Sequence, residues 1–299
     1  MHPGEAEIDR TLAHRLVSGQ FPQWAHLPLS RVASAGTDNA LFRLGTELVI
    51  RLPRVEWAAA QVAKEQRWLP LLAPTLPLEI PRPVAMGRPA DGYPWHWSVY
   101  AWLDGESLTA QPVADLSGAA LQLARFVRAL QALDGSDGPP PGVHNFYRGN
   151  ALAERDRLVR RAIEALRGEV NAAAVTSAWQ AALDVPPWSR PPVWVHGDIH
   201  AGNLLAVNGQ LSAVIDFGGL AVGDPACDTI VAWNLLAGSS RELFRTTLAA
   251  DDATWARGRG WALSIALIAL PYYRDSNPAI VDNSRQVIAE VLAESSAWR

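Results

Sequence analysis

At 299 residues, 49% of them hydrophobic, the chain can bury a large core as one domain or two lobes and is no disordered polymer. A formal net charge of −4 and a pI near 6.0 exclude the basic face of a nucleic-acid binder and leave a cationic small molecule admissible. Cys227 is the only cysteine, and neither MHPGEAEIDR nor Trp261 to Leu270 reads as a signal peptide or a membrane span, so a cytoplasmic protein without disulfide, membrane or nucleic-acid partner is expected.

The helical spacing of Ile8, Leu12 and Leu16 predicts a helix over Glu5 to Val17. Leu29 to Ser34 and Ala40 to Leu44 read as strands joined by the polar turn Ala35, Gly36, Thr37, Asp38 and Asn39. Glu47 to Leu52 predicts a third strand with Val49 and Arg51 on one face. Trp57 to Leu72 reads as a helix carrying Glu65. Lys64, the only lysine among many arginines, reads as a compositional preference for arginine. Pro81 and Pro83 end the helical pattern before a strand at Val84 to Gly87. The run W-H-W-S-V-Y-A-W from Trp95 to Trp102 is strongly β-prone and leads into the polar stretch Leu103 to Ser107.

From Val113 onward the period is helical, with Leu116, Ala120, Leu123, Ala124, Val127 and Leu130 on one stripe. Asp134 to Gly142 is a break rich in Pro and Gly, followed by predicted helices over Ala151 to Leu166 and Ala172 to Leu183. Two short β-branched runs come next. Val193 to Val195 enters a turn holding His196, Asp198, His200 and Asn203, and Leu211 to Ile215 ends on Asp216, Phe217, Gly218 and Gly219. Beyond Asp228, helices are predicted near Thr229 to Ala237, Arg241 to Ala250, Ala253 to Leu270 and Ile280 to Ser295.

An Asp, an Asn and a second Asp brought from strand ends into one place suit phosphoryl transfer. That reaction needs an acceptor for the substrate hydroxyl proton and oxygen ligands for the magnesium that neutralises phosphate charge. Asp198 is the candidate base, and Asn203 and Asp216 are the candidate metal ligands. Other readings stay open: His196, Asp198 and His200 could form a metal-hydrolase cluster, and a nucleotide-binding protein without catalysis could keep the same residues.

The motifs H-G-D-I-H-A-G-N-L-L at His196 to Leu205, I-D-F-G at Ile215 to Gly218 and G-D-P-A-C-D at Gly223 to Asp228 resemble the aminoglycoside phosphotransferase family, small-molecule kinases built on the protein-kinase fold. The resemblance implies an α+β, protein-kinase-like two-lobed fold. A small N-terminal antiparallel β lobe would cover 1–102, with the hinge at about 100–106 and a mostly helical lobe over 103–299. It implies ATP or GTP as co-substrate, Mg2+, and a hydroxylated small-molecule acceptor: an aminoglycoside or related antibiotic, with macrolide, choline, homoserine or sugar as alternatives.

Carried over residue by residue, the resemblance makes Asp198 the catalytic Asp and Asn203 and Asp216 the magnesium ligands. His196 matches a loop-shaping His, and Asp228 an Asp that braces the loop from below. Gly36 and Thr37 fall where kinase-like folds lay a loop over the nucleotide phosphates. Arg51 stands where protein kinases carry a phosphate-pairing Lys, and Glu65 matches its carboxylate partner; the guanidinium keeps the charge but changes the geometry. Backbone groups of Tyr100 to Trp102 match the hinge that binds a purine base, with the Trp102 ring either stacking on the base or filling core.

Two departures from protein kinases favour a small acceptor. Only residues 217–223 separate Asp216 from Asp224, which leaves no room for a peptide-receiving activation segment, and Gly197 stands where those enzymes carry an Arg before the base. Glu154, Asp156, Asp224 and Asp275 are candidate anions for an amine-bearing sugar.

Overall fold

The structure, a computed structural model, describes residues 6–32, 38–110 and 112–296. Strands β1 (Leu29–Arg31), β2 (Asn39–Leu44), β3 (Leu48–Pro53), β4 (Pro83–Gly87) and β5 (Trp97–Ala101) form an antiparallel sheet in the order β1-β2-β3-β5-β4. Side-chain alternation gives this sheet two faces. Phe42, Leu44, Ile50, Leu52, Trp97 and Val99 bury one of them beneath helix α1 (Arg10–Gln20), which contributes Leu12, Leu16 and Val17. The helix starts later than the spacing of its apolar residues suggests, because Asp9 caps it by accepting from Leu12 N at 2.7 Å. Ile8 lies ahead of the cap and still enters the core.

Arg51 lies on the other face and meets helix α2 (Glu56–Leu72). Gln66 ties α2 to the sheet, donating to Ala85 O at 3.0 Å and Ser98 Oγ at 3.1 Å. Leu69 and Leu72 at its far end join the core of the helical lobe, as Tyr100 does. Helix α2 is thereby packed into both lobes.

The helical lobe holds α3 (Leu116–Gln131), α4 (Asp156–Ala165), α5 (Ala172–Leu183), α6 (Val231–Asn234), α7 (Gly238–Leu248), α8 (Asp252–Tyr273) and α9 (Pro278–Ser296). The most apolar late stretch of the sequence is α8, which buries Trp261, Leu263, Leu267 and Leu270 at the centre of the lobe. Among the described residues, no helix is long and apolar enough to cross a membrane.

Short strands carry the chemistry-bearing loops. β7 (Val193–Val195) pairs antiparallel with β10 (Ala221–Gly223), and β6 (Glu106–Ser107), β8 (Leu204–Val207) and β9 (Gln210–Val214) form a three-stranded sheet. The sequence reading passes over β6, β8 and β10, since two to four residues are too few for alternation to register. The helix expected over Ala151 to Leu166 is a 3-10 turn, Leu152–Arg155, followed by α4. The one expected over Thr229 to Ala237 is a 3-10 run, Pro225–Ile230, capped by Asp224 and continued by the short α6.

Candidate active site

The turn after β7 and the turn after β9 are fastened together on both sides of Asp198, through Ile215, the residue before Asp216. Ile215 N donates to Asn203 O at 2.9 Å, and the His196 ring bridges the rest. Its Nδ1 accepts from Asp198 N at 3.1 Å, which leaves the proton on Nε2, and Nε2 donates to Ile215 O at 3.1 Å. Phe217 packs edge-on against the same ring, with centroids 4.5 Å apart. Asp228, fully buried, accepts from His196 N at 2.8 Å and Gly197 N at 2.6 Å, and so supports the loop from beneath. The loops run at backbone contact here: a Cβ on Gly219 would lie 2.6 Å from His196 O.

These buried groups set a pH dependence. Burial pulls the His196 imidazole down to about 4 from its ordinary 6.5, and burial pushes the Asp228 carboxyl up to about 6 against the two N–H bonds that favour its charge. Below pH 6.5 the unfolded His196 takes up a proton that the folded ring refuses until about 4, so its share of stability is lost as pH falls through that window. Asp228 works the opposite way between its ordinary 3.8 and about 6, because there the folded state holds the extra proton. His196→Gln, which removes only the first contribution, is expected to lose less Tm between pH 7 and pH 5 than the wild type. An equal loss in both proteins would contradict a neutral His196.

Asp198 sits in the mouth of this loop with its side chain 29% exposed. Burial alone would raise its pKa, yet Arg148, His200 and His196 outweigh it and hold the carboxyl below the usual range. It is therefore an ionised, weakly basic acceptor at neutral pH. Asn203 Nδ2 donates to Asp198 O at 3.0 Å and reaches Asp198 Oδ2 at 3.5 Å. With its nitrogen so committed, Asn203 has its carboxamide oxygen left as an oxygen donor.

Asp216 adopts a left-handed backbone, φ 63°, uncommon for a residue with a side chain and characteristic of functional turns. Its carboxylate is 44% exposed and accepts from Arg51 Nη2 at 2.9 Å. Arg51 Nη1 bonds both oxygens of Glu65, at 2.7 and 2.8 Å, and the Tyr100 hydroxyl donates to Glu65 Oε2 in a short contact. With its carboxamide oxygen turned to face donors, Asn39 accepts from Arg51 Nε and Nη2 at 3.2 and 3.1 Å. Burial works against the Arg51 charge, but Glu65 and Asp216 more than offset it and raise its pKa, so the guanidinium stays a permanent cation.

The structure thus brings together Arg51 with Glu65 and Asp216, and Asp198 with Asn203, His196 and Asp228. Gly36 and Thr37 lie outside the described residues. Ala101 N is spent on Arg82 O at 2.9 Å and Trp102 N on Glu47 O at 2.7 Å, so neither can donate to a base edge. Tyr100 serves Glu65 with its side chain, while Trp102 bonds Asp104 through Nε1 and carries the Arg43 guanidinium over its ring at 4.3 Å.

The metal-hydrolase alternative fails on hydrogen bonding, since both His196 nitrogens are engaged inside the loop and His200 Nδ1 accepts from Gly202 N at 3.1 Å. Among the described residues, no group of three or more His, Cys, Asp and Glu side chains is placed to hold a metal. Two candidate acceptor anions are also consumed: Asp224 pairs with Arg257 at 2.7 Å in the core, and Asp156 bonds Arg160 and Trp179.

Lys64 proves to be more than a composition effect. Its Nζ donates to Gly218 O at 2.7 Å and Leu220 O at 3.1 Å and meets His144 Nδ1 at 3.1 Å, tying α2 to the segment after Asp216. Burial lowers its pKa to about 8. The one signal available in sequence was its place beside Glu65. Arg148, described below, had none.

An ionised carboxylate beside a carboxamide, a second carboxylate pinned to a strand arginine, and that arginine locked to a helix glutamate form the working layout of a kinase-like phosphotransferase. Comparison with known proteins agrees, and the chain belongs to the phosphotransferase enzyme family, whose pattern matches residues 30–261. It is similar in fold to a GDP-bound aminoglycoside 2'-phosphotransferase-IIIa (TM-score 0.74, 20% identity, 96% of this chain and 100% of that one). A macrolide 2'-phosphotransferase from Brachybacterium faecium is similar at TM-score 0.61 and 22% identity, over 93% of this chain and 97% of that one. In sequence, 116 residues are 29% identical to an aminoglycoside 3'-phosphotransferase from Escherichia coli, a match that spans 38% of this chain and only 42% of that protein.

Proposed function

We propose that the chain transfers the γ-phosphoryl group of ATP or GTP to a hydroxyl of a small molecule, with an aminoglycoside or related antibiotic as acceptor, in the cytoplasm. The observation that carries this reading is the joining of the Asp198 and Asp216 turns beneath a formed Arg51 to Glu65 pair. In it, residues 1–102 grip the nucleotide and 103–299 supply the base and the acceptor pocket, divided at a hinge of about 100–106.

Asp198 orients the acceptor hydroxyl and takes its proton as the phosphoryl group moves. A weak base suffices, because the transition state is loose and places little charge on the nucleophile. Arg51, preset by Glu65, would turn the Nη2 that now meets Asp216 to the phosphates that stay behind. The donor set fits Mg2+, a hard cation that takes oxygen ligands: the Asn203 carboxamide oxygen and the exposed Asp216 carboxylate would hold it. When bound, Mg2+ supplies charge neutralisation to the triphosphate.

Relatives of the same fold are described with GDP, ADP, kanamycin and gentamicin, which supports a nucleotide donor and an aminoglycoside acceptor. A macrolide acceptor is the second reading, favoured by the loss of Asp224 and Asp156 from the pool of free anions. A panel of aminoglycosides, macrolides, choline, homoserine and sugars, each with ATP and with GTP, separates them. The expected result is nucleoside diphosphate released one for one with a phosphorylated antibiotic, only when Mg2+ is present. No acceptor-dependent release with any member would overturn the reading.

A further inference from the structure

Gly197, directly before the base, cannot carry a side chain. Its φ is 81°, and a Cβ would stand 2.9 Å from Gly219 O and 3.3 Å from Arg148 Cβ. The side of the loop it leaves open is filled from elsewhere. Arg148, 49 positions earlier in the chain, reaches in so that its Nη1 donates to Gly197 O at 2.8 Å and pairs with Asp198 Oδ1. The two side chains are 16% and 29% exposed, so the pair is only partly screened by solvent.

The segment that presents Arg148 is pinned independently of its guanidinium. Buried Asn145 accepts from Gly142 N at 2.9 Å and donates to Arg148 O at 2.8 Å and Gly219 O at 3.2 Å. Gly149 O accepts from Asp224 N at 2.7 Å, and Arg155 donates to Phe146 O at 3.0 Å. Phe146 and Tyr147 take φ of 56° and 59°, two consecutive left-handed residues with large side chains. Such a backbone persists only where its surroundings over-determine it, and here its outcome is one guanidinium set against the base.

The other contacts to the Asp198 carboxylate are long. Oδ2 lies 3.5 Å from Asn203 Nδ2 and 3.9 Å from His200 Nε2, at or beyond the limit of a useful hydrogen bond. Among the described residues, only Arg148 makes a close, charge-assisted contact that can fix the carboxylate's rotation. We propose that Arg148 is a positioning residue for phosphoryl transfer, holding the Asp198 carboxylate and the Gly197 carbonyl in the orientation that receives the acceptor hydroxyl. This rests on the function proposed above and adds to it a cation delivered from the loop after α3.

The test measures kcat and KM for nucleotide and acceptor in the wild type, Arg148→Gln and Arg148→Lys, with the exposed Arg167→Gln as a control. Because the loop's own bonds run through backbone and Asn145, Arg148→Gln should fold with a Tm only modestly below that of the wild type. Its kcat is expected to fall about 10- to 100-fold, as a base displaced by about 1 Å would give, while nucleotide KM stays near wild type. Arg148→Lys should recover part of the loss, since it restores the charge without the planar fork. Wild-type kcat in Arg148→Gln, or a fall matched in nucleotide binding and Tm with no recovery by Lys, would overturn the proposal. Should the wild type phosphorylate no acceptor, the functional reading fails separately. A crystal structure of Arg148→Gln then decides the positioning role: a displaced Asp198 carboxylate supports it, and an unmoved one overturns it.

Discussion

Asp198→Asn is expected to lower kcat by about 10²- to 10⁴-fold, the range lost with a general base, with nucleotide affinity almost unchanged. The substitution keeps the shape of the side chain and an oxygen for Arg148 to bond, but it removes both the proton acceptor and the negative charge that orients the hydroxyl. Nucleotide affinity should be spared because Arg51, the proposed phosphate clamp, is held by Glu65 in a separate set of hydrogen bonds. Single-turnover kinetics with a phosphorylatable acceptor, beside a nucleotide titration, checks both halves. Wild-type turnover in this variant would remove Asp198 from the mechanism, and a matching loss of nucleotide affinity would make its role structural.

Arg51→Ala strikes the other half of the site and has two expected effects. Glu65, 2% exposed, is left as a buried carboxylate with, among the described residues, only the Tyr100 hydroxyl to bond it. Breaking a buried pair from one side costs about 3–5 kcal/mol, and the 15% exposure of Arg51 places this case near about 3 kcal/mol. At about 2–4 °C per kcal/mol for a protein of this class, Tm should fall by about 6–12 °C. Losing a charge-assisted phosphate contact of about 1.5–3 kcal/mol should also raise nucleotide KM about 10- to 100-fold. Adding Glu65→Gln to Arg51→Ala separates the two, since it discharges the orphaned carboxylate. Tm should recover in the double variant while the nucleotide defect persists. Recovery of both, or neither effect in the single variant, would contradict a phosphate clamp at Arg51.

The site was legible in sequence where its parts are local. Asp198, Asn203 and Asp216 each follow a short apolar run and a turn within a few residues, so their convergence could be read from strand and loop chemistry. Arg51 lies at a strand end and Glu65 within the next helix, close enough for one alternation and one helical register to place them face to face. Arg148 was beyond reach, because N-F-Y-R-G-N has no period, follows a Pro and Gly rich break, and finds its partner 49 residues on. Lys64 looked like composition because its partners are carbonyl oxygens of Gly218 and Leu220, more than 150 residues away. The N–H partners at the expected hinge were out of reach for a related reason: β propensity marks Trp95 to Trp102 as a strand but does not say that Glu47 and Arg82 take the N–H groups of Trp102 and Ala101. At α1, apolar spacing gave the buried face correctly, and the Asp9 cap moved the first turn.

A crystal structure with Mg2+ and a non-hydrolysable nucleoside triphosphate tests the central claim most directly. The predicted result is a metal ligated by the Asn203 carboxamide oxygen and the Asp216 carboxylate, Arg51 on the phosphates, and the γ-phosphate facing Asp198. Nucleotide bound elsewhere, or a metal that touches neither Asn203 nor Asp216, would contradict it.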